Sequence, residues 1–497
     1  MEAAIAGVPP RERPFAAPQR FVRAHPLALI VALGLAFRLA LLATPRSYFP
    51  DEIFQYLEAA HRLVFGVGVV PWEYRFGIRS WLVPLLLAGP MAAGGWLRPD
   101  GVAYLLLPKL LVVLVSLGSI VAAARIGARL SPRHGLYGAF AMAIWSETAL
   151  FGTQALTEAL AVPLVLGGAA LLETPGARSR TIAIAGALLA LAVVVRFQYA
   201  PAVAALVAIA CRIDRRRWLL AAAGGGAVLV AAGGLDMAMG QWPFGWIVEN
   251  FHQNIGLKRS HAWVDGPGFY PLAIAAAFGA TLLPAWALAR LVARRFPALV
   301  ACAITNVAVH TLIAHKEYRY VLLSTSILVL LAGIATPDAI DAARRRFGMG
   351  GWAAIAVAAW LACSGAVLAC GLRSGGWDRV TPALQAFAAL RQAPGCGVAL
   401  LGRDWTDSGG YTYLHRPVPL YIPDDGSVPP ASWIARAGAG FDLIVAPARL
   451  GSALPSDYRR TTCFGAGQAC LYRRSGGCDA RAASGSAINW VLIRLDR

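Results

Sequence analysis

A chain of 497 residues that is 58% hydrophobic and 14% charged, with mean hydropathy +0.58, falls outside the range of soluble proteins, which carry about 25% charged residues. The formal net charge of +19 would suit nucleic acid, but the arginines sit in short clusters between apolar runs, as expected when positive loops orient membrane segments. Composition therefore excludes a soluble enzyme and a nucleic-acid binder and leaves an all-α polytopic membrane protein.

Residues 1–24 carry Arg11, Arg13, Arg20 and Arg23 without an apolar run and read as a cytoplasmic tail. The first span covers about 27–43 and leads to an outer loop, 45–103. Within it Asp51, Glu52, Glu58, His61, Arg62, Glu73, Arg75 and Arg79 crowd into one stretch, and charge beside a bilayer is costly enough to mark a site. The apolar segment 81–96, interrupted by Pro84, Pro90 and Gly94-Gly95, reads as re-entrant or juxtamembrane rather than a full crossing. Spans follow at 104–124, 137–150, 160–172, 181–195, 201–211, 218–239, 270–288, 298–313, 321–334 and 352–372. That makes about eleven crossings, each an apolar run matched to a hydrocarbon core of about 30 Å, with the arginine clusters landing inside. A polar outer loop is expected at 240–270. No internal repeat is visible.

Residues 373–497 change character. Turn signals separate strand-like runs at 397–401, 441–445 and 469–472, and 381–391 has the period of an amphipathic helix. The expectation is a small α/β domain outside the cytoplasm. Its cysteines, Cys396, Cys463, Cys470 and Cys478, are candidate disulfides in an oxidising compartment. Three connectivities are open, although Cys463 and Cys470 flank a turn-rich link and could close a short hairpin. Cys211, Cys302, Cys363 and Cys370 lie in or at the ends of apolar runs and read as packing residues.

Three outer features break the charge rule. Asp51-Glu52 could supply a general base for a sugar hydroxyl; the ordinary alternative is an N-cap. His315-Lys-Glu-Tyr-Arg-Tyr320 places Lys316 and Arg319 one helical turn apart, suiting a phosphate at the membrane surface; the alternative is snorkelling cations in an aromatic belt. The loop 240–270 mixes aromatic and polar side chains, including Trp242, Trp246, His252 and His261, as a sugar site or an interfacial loop would. Glu147, Glu158, Arg196 and Gln198 stand at outer span ends, for substrate or for interhelical pairing. No metal-ligand spacing, phosphate-cradling glycine loop or nucleophile elbow is present.

Pro50-Asp51-Glu52 with Phe54-Gln55, Glu58, His61-Arg62, Gly66, Trp72-Glu73 and Arg79-Ser80 resembles the first lumenal loop of glycosyltransferase family 22. These are the Alg9-like and GPI-anchor-type mannosyltransferases that depend on polyprenyl-phosphate mannose. His315-Lys316-Glu317-x-Arg319 matches that family's second signature, and Arg196-Phe197-Gln198 resembles a weaker third. Phe49 stands where the family pattern has histidine. The resemblance implies a GT-C fold over 25–372 and Asp51, with Glu52, as catalytic carboxylates. It implies His315, Lys316 and Arg319 at the donor phosphate, and Glu58, Arg79, Glu158, Arg196, Gln198, His252 and His261 around the substrates. The donor would be a polyprenyl-phosphate hexose, mannose by family analogy, serving as co-substrate with no cofactor or metal. The acceptor would be a glycan or lipid-linked sugar, transfer would invert the anomeric carbon, and nucleic acid would have no part. The short Arg/Ala-rich chain implies a bacterial relative, in the inner membrane with its site on the extracytoplasmic side. The rivals are a transporter or lipid flippase, which should carry polar groups at mid-membrane and a repeat between halves, and a membrane scaffold, which leaves the misplaced Lys316 and Arg319 unexplained.

Overall fold

The computed structural model describes residues 25–99, 101–259, 264–348, 350–373, 377, 380–423, 430–479 and 484–496. Five of its helices are long and apolar enough to cross a membrane: Ala103–Ala128, Arg215–Ala238, Phe269–Arg295 with its short internal break, Tyr318–Phe347 and Trp352–Leu372. Shorter apolar helices accompany them, among them α1 (Pro26–Leu42), Thr157–Leu172, Ser179–Val195 and Pro297–Leu312. The chain is an integral membrane protein.

Small residues let the helices approach closely. A side chain at Gly186 would collide with the Ala221 carbonyl, and one at Gly224 with that of Ala183, so Ser179–Val195 and Arg215–Ala238 meet backbone to backbone. Charge inside the bundle is matched. Arg38, in the middle of α1, donates to Ser116 Oγ at 2.9 Å and to the Gly34 and Ala143 carbonyls at 3.1 Å. The apolar reading of the first span overlooked it.

Several boundaries differ from the sequence reading. The segment read as re-entrant is one unbroken helix, α3 (Leu82–Leu97), reached after α2 (Glu58–Phe65); Pro90 bends no register hard enough to end it. The span expected over 137–150 is two helices, Pro132–Ile144 and Ser146–Phe151, because Trp145 is extended at ψ 122°. The span at 270–288 breaks at Gly279, whose φ of +54° favours glycine. The helix expected over 321–334 runs on to Phe347, so Arg344, Arg345 and Arg346 occupy its last turn, where cations complement the dipole. Much of the expected polar loop is helical, as Gly245–Phe251 and the wider turn His252–Gly256.

Beyond residue 380 the chain forms a mixed five-stranded sheet of order β2-β1-β3-β5-β4, with β1 Val398–Leu400, β2 Leu420–Tyr421, β3 Leu443–Ala446, β4 Arg459–Phe464 and β5 Ala469–Arg473. β1 runs parallel to β2 and β3, and β5 antiparallel to β3 and β4. The amphipathic helix forms over Thr381–Leu390. Cys463 and Cys470 are cross-strand partners joined by a disulfide, and Cys396 bonds Cys478. Cys211 and Cys302 are buried, whereas Cys370 is exposed on its helix rather than packed.

This C-terminal part is bound to the first loop. Glu58, fully buried in α2, accepts hydrogen bonds from the Tyr411 and Thr412 amides at 2.6 and 2.9 Å and from Thr412 Oγ1 at 2.7 Å. His61 Nε2 and His415 Nδ1 lie 2.9 Å apart. Asn489 accepts from the Val70 amide and donates to the Gly68 carbonyl.

Candidate active site

Between the first loop, the segment 313–320 and the C-terminal part lies a cavity of about 1500 Å³. Asp51 lines it at the start of a wide-turn helical segment, Glu52–Leu57. Its side chain makes no capping bond to that helix, so the N-cap alternative does not account for it. Asp51 Oδ2 instead accepts from Arg319 Nη2 at 2.5 Å.

Arg319 is the hub of the site. Its Nε donates to Glu317 Oε2 at 2.6 Å and lies 3.5 Å from Glu158 Oε1. Arg196 pairs with the same Glu158 oxygen at 3.0 Å, and its guanidinium sits 4.6 Å from the centre of the Tyr320 ring. His315 and Tyr320 both bond Glu317 Oε1, at 2.8 and 2.9 Å. Burial pushes the Glu317 carboxyl up, but the Arg319 guanidinium and the His315 hydrogen bond outweigh it and hold it at about 2. The two sequence signatures therefore meet as one ion network. Phe49, the residue where the family pattern has histidine, places its ring 4.6 Å beneath the Arg319 guanidinium, a cation–π contact.

Several site residues take other places than expected. Glu52 is fully buried and faces away from the cavity, pairing with Lys109 Nζ at 2.8 Å and accepting from the Ala155 amide at 3.1 Å. It forms a buried ion pair and does not line the cavity, where a second catalytic carboxylate was expected. Glu58 holds the C-terminal part and does not line the cavity, and burial pushes its carboxyl up to about 7. His252 is exposed and pairs with Glu249 at 3.3 Å, away from the cavity wall. His261 lies outside the described residues. Glu158 acts through Arg196 and Arg319 and is not itself part of the lining. Glu147 is a buried acceptor for Tyr318 and Thr325. Arg319, expected at a phosphate, is engaged by carboxylates, and Lys316 Nζ is held by the Ile313 and Asp265 carbonyls at 2.6 and 2.9 Å. Both are buried, which sets aside the snorkelling alternative. Arg79, Arg196, Gln198, His315, Lys316 and Arg319 do line the cavity. Arg79 Nε is buried with no hydrogen-bond partner among the described residues.

The sequence reading missed the far wall. Gln55 lines the cavity one turn after Asp51, and Asp404, Trp405 and Asp407 reach it from the C-terminal part. No spacing signal announced the last three, because the fold and not the chain order brings residues 404–407 to the first loop.

A helical membrane bundle around a cavity lined by Asp51 and several cations is the arrangement that the family resemblance implies for a membrane glycosyltransferase with a GT-C fold, and the fold agrees. The chain superposes on ArnT from Cupriavidus metallidurans in the apo state with TM-score 0.60 and 13% identity, over 94% of this chain and 99% of that one. It superposes on the same enzyme bound to undecaprenyl phosphate with TM-score 0.59 and 11% identity, over 92% and 98%. The chain belongs to the Alg9-like mannosyltransferase family, whose pattern matches residues 29–373. Relatives include GPI mannosyltransferase 3 of Drosophila melanogaster, 41% identical over 92 residues, and that of Yarrowia lipolytica, 37% identical over 103. The matched stretches span 18% and 20% of this chain and 16% and 20% of those relatives.

Proposed function

We propose that the protein transfers one hexose, mannose, from a polyprenyl phosphate to a glycan or lipid-linked acceptor, inverting the anomeric carbon. The observation that carries this reading is the position of Asp51, solvent-accessible at the cavity wall and held by Arg319. Asp51 accepts the proton of the acceptor hydroxyl as its oxygen attacks the anomeric carbon. The bond from that carbon to the phosphate oxygen breaks, and the electron pair leaves with the lipid phosphate. Fixed cations stabilise that charge: Lys316 and Arg79 at the wall, with Lys258 at the rim. Arg319 is assigned to positioning Asp51 rather than to the phosphate. A charged leaving group met by cations calls for no cofactor, and the donor is a co-substrate. The likeness to ArnT, which has been solved with undecaprenyl phosphate, supports a polyprenyl donor.

The arginine asymmetry supports a topology with the cavity and the C-terminal part on the extracytoplasmic side, and the short Arg/Ala-rich chain supports a bacterial inner membrane. The test is transfer of radiolabelled mannose from polyprenyl phosphate by the purified protein in nanodiscs, with mass spectrometry of envelope glycans from a deletion strain. Labelled glycan in the first and a truncated glycan in the second are expected. An unchanged glycan profile with a transport defect would overturn the reading in favour of a transporter.

A further inference from the structure

The cavity has two unlike walls. The wall built from residues within the family match carries Arg79, Arg196, His315, Lys316 and Arg319. A second part of the lining carries Trp405 with Asp404, whose Oδ1 accepts from the Thr406 amide and hydroxyl at 2.8 and 2.7 Å, and Asp407, 3.9 Å from Arg403, all from a segment beyond residue 373, where the family match ends. The Trp405 ring packs edge-on to Phe54, centroids 4.7 Å apart at 70°, so the first loop and the C-terminal part form one surface there.

Gln55 joins the two walls. It is 4% exposed, lines the cavity, and its Nε2 donates to Glu73 Oε1 at 2.7 Å. That bond fixes the amide and leaves Oε1 buried with no hydrogen-bond partner among the described residues. A buried amide oxygen without a donor costs free energy, and a donor supplied by a ligand in the cavity would remove that cost. Phe54 and Gln55 follow Asp51 by about one turn, and all three line the same cavity.

We propose that Gln55, Trp405 and the Asp404 and Asp407 carboxylates form the acceptor subsite, which takes a neutral or amine-bearing sugar through its hydroxyls and one apolar ring face. The inference rests on the glycosyl-transfer reading of the cavity and adds to it where the acceptor lies. An oxygen acceptor and two carboxylates receive hydrogen bonds from sugar hydroxyls, and the indole offers a face to the C–H side of the ring. The Asp404 carboxylate, bonded to Thr406 rather than to a cation among the described residues, repels a lipid phosphate, which keeps the donor to the cationic wall. Acceptor choice then rests on Gln55 together with the C-terminal part, and the donor half of the site lies wholly in the family-matched part.

The test uses the full chain in nanodiscs, comparing wild type with Trp405→Ala, Trp405→Phe and Asp407→Asn. Saturation-transfer NMR with methyl α-mannopyranoside reads sugar binding without turnover, and steady-state kinetics reads KM for acceptor and donor separately. Trp405→Ala should abolish saturation transfer and raise acceptor KM about tenfold, the effect of losing one good contact, with donor KM unchanged. Trp405→Phe should recover most of both, which a merely structural role would not require of a smaller ring. Asp407→Asn should raise acceptor KM several-fold. Unchanged saturation transfer in Trp405→Ala, or a rise in donor KM in place of acceptor KM, would overturn the subsite. Wild type that binds the methyl mannoside in a Trp405-dependent way but transfers from no lipid-phosphate sugar would sink the transferase reading and leave the sugar site standing.

Discussion

The helical stretch that begins at residue 51 sends the same kind of side chain into two kinds of surroundings, a reactive face on the cavity and a structural face inside the protein, with opposite fates. On the first, Asp51 opens onto the cavity with its side chain 19% exposed and in contact with Arg319. On the second, Glu52 and Glu58 point to different parts of the protein and are fully buried, one against Lys109 and one against the amides of Tyr411 and Thr412. Carboxylates on both faces have partners, so pairing does not separate chemistry from structure. Access does. Asp51 keeps an approach for a hydroxyl, whereas the buried carboxylates are closed off from solvent and anchor the first loop to the bundle and to the C-terminal part. The structural face supplies the rigidity that the reactive face needs, since a base must be held within hydrogen-bond reach of its proton.

The largest effect should come from the reactive face. Asp51→Asn keeps the shape and removes the base, so turnover should fall by roughly 10²–10⁴-fold while binding of radiolabelled polyprenyl-phosphate mannose and the melting temperature stay close to wild type. Near-normal turnover would erase the distinction between the faces. Glu52→Gln, one residue on, should do the reverse. It leaves Lys109 buried without its counter-charge, a cost of about 3–5 kcal/mol, visible as a lower melting temperature in nanodiscs, with turnover per folded molecule within a few-fold of wild type. A selective loss of turnover at full stability would return Glu52 to the chemistry.

The smallest effect sharpens the structural face. His61 meets His415 at 2.9 Å, and burial pushes its pKa down from 6.5 to about 4. The unfolded chain takes up a proton near pH 6.5 that the folded His61 refuses until about pH 4. Its contribution to stability is therefore complete above pH 6.5 and is lost as pH falls through that window. Glu58, pushed up to about 7, acts in the opposite sense, its contribution weakening as pH rises from 4.5 towards 7. The readout is thus a difference: thermal melts of wild type and His61→Gln should converge between pH 6.5 and 4, and parallel curves would mean that the histidine pair does not respond to protonation.

How much of this could be read in the sequence follows from the range of each interaction. Apolar runs fix helices locally, and helices appeared near the places of the expected spans, five of them among the described residues long and apolar enough to cross a membrane. Their internal breaks at Trp145 and Gly279 did not, because one residue's backbone angle is invisible to a hydropathy window. The three strand-like runs became β1, β3 and β5, while β2 and β4 were missed: β2 is two residues long, and β4 carries mostly exposed side chains. The resemblance brought Asp51 and Arg319 forward but not their contact with each other, since a motif names residues without saying which way they point.

By itself, then, the sequence determined what short-range chemistry can determine: a membrane bundle, the charged first loop, the hairpin cysteines Cys463 and Cys470, and the two signatures that mark the family. The tertiary structure decided which of the neighbours Asp51 and Glu52 faces the cavity, that Arg319 binds Asp51 268 positions away, and that residues 404–407 close the far wall. The reason is physical. A helix turns about 100° per residue, so adjacent side chains diverge. The partners that fix each one come from distant segments, whose meeting depends on how the whole bundle and the sheet pack.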